Sequence, residues 1–239
     1  MRHLDLCSGI GGFALACRMV GGIETVGFCE RDTFCQAVLK KHWPAVPICD
    51  DIFKLQGKDY ENIDILTAGF PCQPYSVSGK RNGAKDYRAI WPQVHRAIRE
   101  VRPRWIIGEN VAGIINMDLN RIIADLEEAE YSVEVFVIPA CAVGAKHRRE
   151  RAWIVANSTG FNETQVVEEA GIPVQPRRDS MLARVQPFRW EGNQHSMAGM
   201  FHWIPYRMDR IKGIGNAIVP QVASEILRCI QEIEIQNKA

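Results

Sequence analysis

His3-Leu4-Asp5-Leu6-Cys7-Ser8-Gly9-Ile10-Gly11-Gly12-Phe13-Ala14 begins as a short apolar run and ends in a cluster of glycines. The run reads as a first strand over residues 3–7, and the glycines as a tight turn into a helix that ends near Val20. The turn fits Gly-x-Gly-x-x-Gly/Ala with Ala14 in the last place, a spacing that lets the backbone approach a ligand closely. Thr25-Val26-Gly27-Phe28-Cys29 reads as a second strand with Glu30 at its end, 21 residues after Gly9. An acidic residue at that place takes ribose hydroxyls in doubly wound folds. The competing reading of Glu30 is a solvated acid opening the next helix. Strand, turn, helix and acid in register point to a nucleoside-containing ligand; the glycine pattern alone would also suit a dinucleotide oxidoreductase.

The same alternation continues along the chain. Phe34 to Lys41 reads as helix, and Ile48 through Asp51-Ile52 as a third strand end with another acid. Ile63 to Thr67 reads as a buried strand ended by Gly69. Arg88 to Glu100 reads as helix, with Ile90, Val94 and Ile98 at four-residue spacing and Pro92 in its first turn. Trp105 to Gly108 reads as a buried strand with Glu109-Asn110 at its end. An amphipathic helix over Leu119 to Glu130, a strand over Tyr131 to Pro139 and a last strand over Trp153 to Ala156 follow. Such alternation predicts an α/β fold with a doubly wound, mainly parallel sheet.

From Asn157 to about Met208 no regular pattern persists, and Gly160, Gly171, Pro173, Pro176, Pro187 and Gly192 punctuate the stretch. Helical periodicity returns near Pro220 and runs to Ile235, with Val222, Ile226, Ile230 and Ile233 as its buried stripe. The organisation expected is one domain over 1–156 plus 209–239, with 157–208 as a small irregular lobe.

With 239 residues, 46% of them hydrophobic, the chain can bury a full α/β core. None of the eight cysteines forms a Cys-x-x-Cys pair, which argues against a zinc or dithiol site and for a reducing compartment. No signal peptide and no apolar run of transmembrane length is evident, so a cytoplasmic protein with no membrane and no metal is expected. The oligomeric state, a monomer included, stays open. The net charge of +1 identifies no partner, but charge is segregated. Lys80 to Arg104 carries eight basic and two acidic residues, and Arg177 to Lys212 seven and three. Phe188, Trp190, Phe201, Trp203 and Tyr206 interleave with the second set, a combination suited to a polyanion with accessible bases. Two ordinary solvated faces are the plainer account.

The chemistry centres on Ala68-Gly69-Phe70-Pro71-Cys72-Gln73-Pro74-Tyr75-Ser76. Here a cysteine sits just past a strand end, where open α/β sheets place ligands. Pro71 fixes its own φ, and Pro74 biases Gln73 away from the helical region. A presented nucleophile fits this setting, beside the plain alternative of a small buried thiol.

Together these stretches resemble the DNA cytosine-5 methyltransferases, with the compact layout of phage-type members. Asp5-Leu6-Cys7-Ser8-Gly9-Ile10-Gly11-Gly12-Phe13 resembles the family's first AdoMet motif, and Gly69 to Ser76 its nucleophile motif. Glu109-Asn110-Val111 resembles its Glu-Asn-Val motif, and Arg149-Glu150-Arg151 the end of Gln-x-Arg-x-Arg, with His147 where glutamine is usual. Gly215-Asn216-Ala217-Ile218-Val219-Pro220 resembles its last motif.

The resemblance implies a Rossmann-like methyltransferase sheet, S-adenosyl-L-methionine (AdoMet) as cofactor and double-stranded DNA as partner. Cys72 would be the nucleophile, Glu109 the group at ring nitrogen 3, and Arg149 and Arg151 holders of the base carbonyl and the glutamate. Phe13, Glu30, Asp51, Ile52, Pro71, Ile90 and Asn216 would line the AdoMet pocket. Gln73 to Tyr87 would close over a flipped-out base, with Ser76, Lys80, Arg81 and Lys85 meeting DNA. Residues 157–208 would be the target-recognition region, with Arg177, Arg178, Arg184, Arg189 and Trp190 as contacts. A tRNA-type cytosine-5 methyltransferase is the nearest alternative, although the Cys-Phe-Thr motif of that branch is missing. A non-catalytic AdoMet- and DNA-binding relative is the other.

Overall fold

The computed structural model describes residues 1–71, 90–158 and 207–237, with the side chains of 207, 208 and 210–212 excepted. Strands β1 (Arg2–Leu6), β2 (Glu24–Cys29), β3 (Ile48–Cys49), β4 (Ile65–Ala68), β5 (Trp105–Val111), β6 (Tyr131–Pro139) and β7 (Glu150–Ser158) form one sheet in the order β3-β2-β1-β4-β5-β7-β6. Parallel pairing joins β1 to β2 and β4, β2 to β3, and β4 to β5, whereas β7 runs antiparallel to both β5 and β6. The sheet is therefore mainly parallel, with one reversed strand beside its edge.

The period-2 alternation of the strands fills both faces. Leu66, Ala68, Ile106, Ala152, Ile154 and Ala156 join one core, with Val94 and Ile98 of α3 (Ile90–Val101) and Ile122 and Leu126 of α4 (Leu119–Glu128). Ile65, Ile107, Trp153 and Val155 point the other way, onto Phe13 and Ala16 of α1 (Gly12–Val20). Val222, Ile226 and Ile230 complete that second core; they belong to the last helix, which spans Pro220–Gln236. Ile233 packs at its margin. A third, smaller cluster joins Ala14, Phe28 and Leu39 of α2 (Thr33–His42).

Several boundaries differ from the sequence reading. Strand β5 runs through Glu109 and Asn110 to Val111, because β7 continues the pairing as far as Val111↔Arg151. Strand β7 likewise extends to Ser158, held by Tyr131 on one side while Trp105 pairs with Asn157 on the other. Strand β3 ends at Cys49, and Asp51 instead caps a turn by accepting from Phe53 N–H at 3.0 Å. Helix α5 (Arg207–Asn216) was not expected across Gly213 and Gly215. Gly213 lies so close to its neighbours that a Cβ there would meet Ile10 at 3.3 Å, so packing overrides its low helix propensity. The closing helix is accordingly α6. Residues 159–206, most of the expected second lobe, and 72–89 lie outside the described residues.

Among the described residues no helix is long and apolar enough to cross a membrane, and no group of His, Cys, Asp and Glu could hold a metal ion.

Candidate active site

The parallel strands β1, β2, β4 and β5 all end at one edge of the sheet, and the reversed strand β7 begins there. That single edge gathers the glycine turn, Glu30, Gly69 to Pro71, Glu109-Asn110 and Arg149 to Arg151.

The glycine turn is built by left-handed residues: Gly9 at φ 54° and Gly11 at φ 86°, with Cys7 at φ 52° before them. Among the described residues nothing lies within 4 Å of a Cβ placed on Gly9, so the loop is open there on their side. Glu30 is fastened to this turn. One carboxylate oxygen accepts from Gly9 N–H at 2.7 Å and the other from Asp32 N–H at 2.7 Å. A carboxylate has about four acceptor sites, so two neutral hydroxyls can still be taken. Asp32 in turn caps α2, accepting from Phe34 and Cys35 N–H.

Beneath the turn lies a buried polar row that sequence reasoning missed. Thr67 Oγ1 donates to Asp5 Oδ1 at 2.8 Å. Its one hydrogen is thereby used, so His3 Nε2–H donates to Thr67 at 2.8 Å, and His3 Nδ1 accepts from Thr25 Oγ1 at 2.9 Å. Burial keeps His3 neutral, with its pKa lowered to about 3, and pushes Asp5 up to about 8 against the opposing Thr67 hydrogen bond. The available signal was His3 and Asp5 at i and i+2, alternating with the core residues Leu4 and Leu6.

Glu109 is 7% exposed and faces Arg151, whose Nε lies 3.1 Å from Glu109 Oε1. The two are diagonal cross-strand neighbours, since Glu109 registers with Trp153 and Val111 with Arg151. Burial raises the Glu109 pKa to about 7, outweighing the attraction of Arg151 and then Arg149. A carboxyl so placed can hold or release a proton near neutral pH. Asn110 Nδ2 donates to the carbonyl of Phe70 at 3.1 Å, tying β5 to the chain two residues before Cys72. Asn110 Oδ1 accepts from Val111 N–H at 2.8 Å.

Arg149 turns elsewhere. Its guanidinium donates to the carbonyls of Gly215 and Ala217 at 2.8 and 2.6 Å, not to Glu109. Phe13 is buried, its ring edge-on to Trp153 with centroids 6.1 Å apart. Trp153, another residue the sequence reading left unassigned, thus packs against Phe13 and registers with Glu109 across the strand pair. Ile52 faces the core and its carbonyl accepts from Arg96, Ile90 is half-buried, and Pro71 and Asn216 are exposed. Cys72, Ser76, Lys80, Arg81, Lys85, Arg177, Arg178, Arg184, Arg189 and Trp190 lie outside the described residues.

The family model for C-5 cytosine-specific DNA methylases matches residues 1–199, which takes in the glycine turn, Glu109-Asn110 and Arg149 to Arg151. The chain belongs to this family. It is 33% identical over 167 residues to the type II methyltransferase M.HhaI of Haemophilus parahaemolyticus, covering 68% of this chain and 50% of that protein. Against M.HpaII of Haemophilus parainfluenzae the identity is 35% over 240 residues, covering 90% and 65%. The orphan methyltransferase M.SPRI of Bacillus phage SPR is 34% identical over 167 residues, covering 65% and 37%. The chain thus spans about half the length of the first of these relatives and still less of the phage one. Among solved structures, a mutant of Spodoptera frugiperda DNMT2 superposes with a TM-score of 0.59 at 24% identity, covering 67% of this chain and 51% of that one. A putative DNA modification methyltransferase from an Escherichia coli prophage gives 0.57 at 19%, covering 73% and 49%. These superpositions establish that this C5 methylase chain shares their fold.

Proposed function

We propose that this chain transfers a methyl group from AdoMet to carbon 5 of a cytosine flipped out of duplex DNA, through a transient bond to Cys72. The observation that carries the reading is Glu109: buried, paired with Arg151, poised near neutrality, and next to the asparagine that ties down the approach to Cys72. AdoMet, when bound, supplies an electrophilic methyl on its sulfonium. Glu30 and the open glycine turn suit its ribose and fit a nucleoside better than any other ligand class.

Carbon 5 of cytosine is a poor nucleophile while the ring is aromatic. Addition of the Cys72 thiolate at carbon 6 breaks the aromaticity and pushes electron density toward nitrogen 3 and carbon 5. Protonated Glu109 donates to nitrogen 3 as that charge develops. Carbon 5 then takes the methyl group as its carbon–sulfur bond breaks and the neutral thioether leaves; loss of the carbon 5 proton to a base, return of the nitrogen 3 proton to Glu109 and expulsion of the thiolate restore the ring. Arg151 holds Glu109 and stabilises its conjugate carboxylate. Residues 73–87 close over the base, residues 157–208 read the sequence, and their basic residues meet phosphates and guanine edges.

Glu30→Ala is expected to weaken AdoMet binding by about 1.5–3 kcal/mol, since it removes a charged acceptor for the ribose and frees Gly9 N–H. Calorimetric titration measures it, and saturable binding of NAD to the wild type would favour the oxidoreductase reading instead. The reaction itself is tested by bisulfite sequencing of DNA from cells expressing the chain. Methylated cytosines in a fixed context are expected. Unmodified DNA together with methylation of tRNA in vitro would move the assignment to an RNA substrate.

A further inference from the structure

Arg149 immediately precedes β7 and has φ 37°, in the left-handed region that favours glycine. A residue with a Cβ adopts that backbone at a cost, which its surroundings must offset. The surroundings here are two carbonyls. One guanidinium nitrogen donates to Gly215 O at 2.8 Å and to Ala217 O at 2.6 Å. These carbonyls flank Asn216, the last residue of α5, where helix C-termini leave acceptors without intrahelical partners and favour a cation.

The clamped segment leans on both halves of the site. Ile218 packs so tightly on Gly12 that a Cβ there would lie 2.5 Å from it, and a Cβ on Gly69 would lie 3.7 Å away. Gly12 opens α1 behind the glycine turn, and Gly69 precedes the nucleophile segment. Arg149 is partly buried, and among the described residues its buried Nε has no hydrogen-bond partner, so the two carbonyls are what hold the guanidinium. Among the described residues it is Arg151 that makes the ion pair with Glu109, while Arg149 acts on that carboxyl only at longer range.

We infer that Arg149 is a positioning residue for the cofactor side of the site: by gripping the carbonyls on either side of Asn216, it sets how Asn216 borders the AdoMet pocket. This rests on the proposed function in one respect, that the pocket beside Asn216 takes AdoMet. The two arginines of the Arg-x-Arg pair then divide their work, Arg151 on the base-side carboxyl and Arg149 on the turn between α5 and α6.

The test is a double-mutant cycle read by calorimetric titration of AdoMet into the full chain without DNA, with thermal unfolding run alongside. Arg149→Ala should weaken AdoMet binding about tenfold, and Arg149→Lys, which keeps a charged donor, should recover part of the loss. Asn216→Ala should weaken binding in the wild type and add markedly less in the Arg149→Ala background, because neighbours acting as one unit are not additive. With AdoMet varied at saturating DNA, the Arg149→Ala loss should be larger in KM for AdoMet than in kcat. If Arg149→Ala fails to fold, the same cycle is run with Arg149→Lys. A wild type that does not bind AdoMet would overturn the cofactor assignment. A wild type that binds it, with Arg149 variants of equal affinity or with effects that simply add to Asn216→Ala, would overturn the clamp.

Discussion

Glu109→Gln should lower kcat by about 10²–10⁴-fold and remove the alkaline limb of the pH–rate profile. The substitution keeps shape and a hydrogen-bond donor but cannot transfer a proton, the contribution assigned to general acid catalysis. Burial raises the Glu109 pKa to about 7 from an ordinary value of 4.5, with Arg151 and Arg149 pulling down less strongly. The protonated carboxyl is the form that donates to the base, so this limb of kcat/KM should fall as pH rises through about 7. The same shift ties to stability. The fold favours neutral Glu109, so this contribution is present below about pH 4.5 and is lost as pH rises through about 7. Denaturant unfolding at a series of pH values should show Glu109→Gln gaining stability relative to the wild type across that window. A wild-type rate profile with no limb near neutrality, or a Gln variant with full activity, contradicts the role.

Cys72→Ser should abolish turnover, a loss on the order of 10⁴-fold or more, because a serine hydroxyl at that position has no general base assigned to it and is a far weaker nucleophile than a thiolate. AdoMet affinity should change little, since the residues proposed to hold the cofactor, Phe13, Glu30, Asp51, Ile52, Pro71, Ile90 and Asn216, are all kept. Single-turnover methylation of DNA with labelled AdoMet, beside a calorimetric titration, separates the two. Loss of AdoMet binding in step with activity would mean that the substitution had damaged the pocket.

The fold was largely legible because the strands alternate apolar residues over both faces and the glycine turn marks where the first of them ends. Leu66 and Ala68 fall to one side of β4 and Ile65 to the other, and the sequence pattern carries that directly. Glu109 and Asn110 were read as standing beyond β5 because two polar residues end an apolar run. The backbone continues as strand because β7 satisfies its hydrogen bonds, which no local signal encodes. Glycines 213 and 215 hid α5 for a similar reason: the neighbours that make a side chain costly at Gly213, Ile10 and Phe34, are far away in sequence.

In the candidate site, spacing singles out Glu30 and the family resemblance singles out Glu109 and Arg151, but their partners in the fold were not legible. Glu30 holds Gly9 N–H, and that bond spans 21 positions of chain. The resemblance implies that Arg149 and Arg151 together hold the base carbonyl and the glutamate. The left-handed backbone of Arg149 instead sends its side chain to Gly215 and Ala217, 66 and 68 positions away. The buried His3–Thr67–Asp5 row depends on β1 pairing with β4, a crossover known only once strand order is known.

The central claim is a bond between Cys72 and carbon 6 of the target base, and one measurement reaches it directly. Duplex DNA carrying 5-fluorocytosine at the methylated site is incubated with the chain and AdoMet, digested, and the cross-linked peptide mapped by mass spectrometry. Fluorine cannot leave carbon 5 as a cation, so elimination stalls after methyl transfer and the adduct persists. Burial pushes the thiol of Cys7 up to about 12 and those of Cys17 and Cys29 higher still, which makes them poor competitors. The account predicts a methylated fluorocytosine attached to the peptide containing Cys72, and none with Cys72→Ser. An adduct on any other residue, or rapid methylation with no adduct at all, would contradict it.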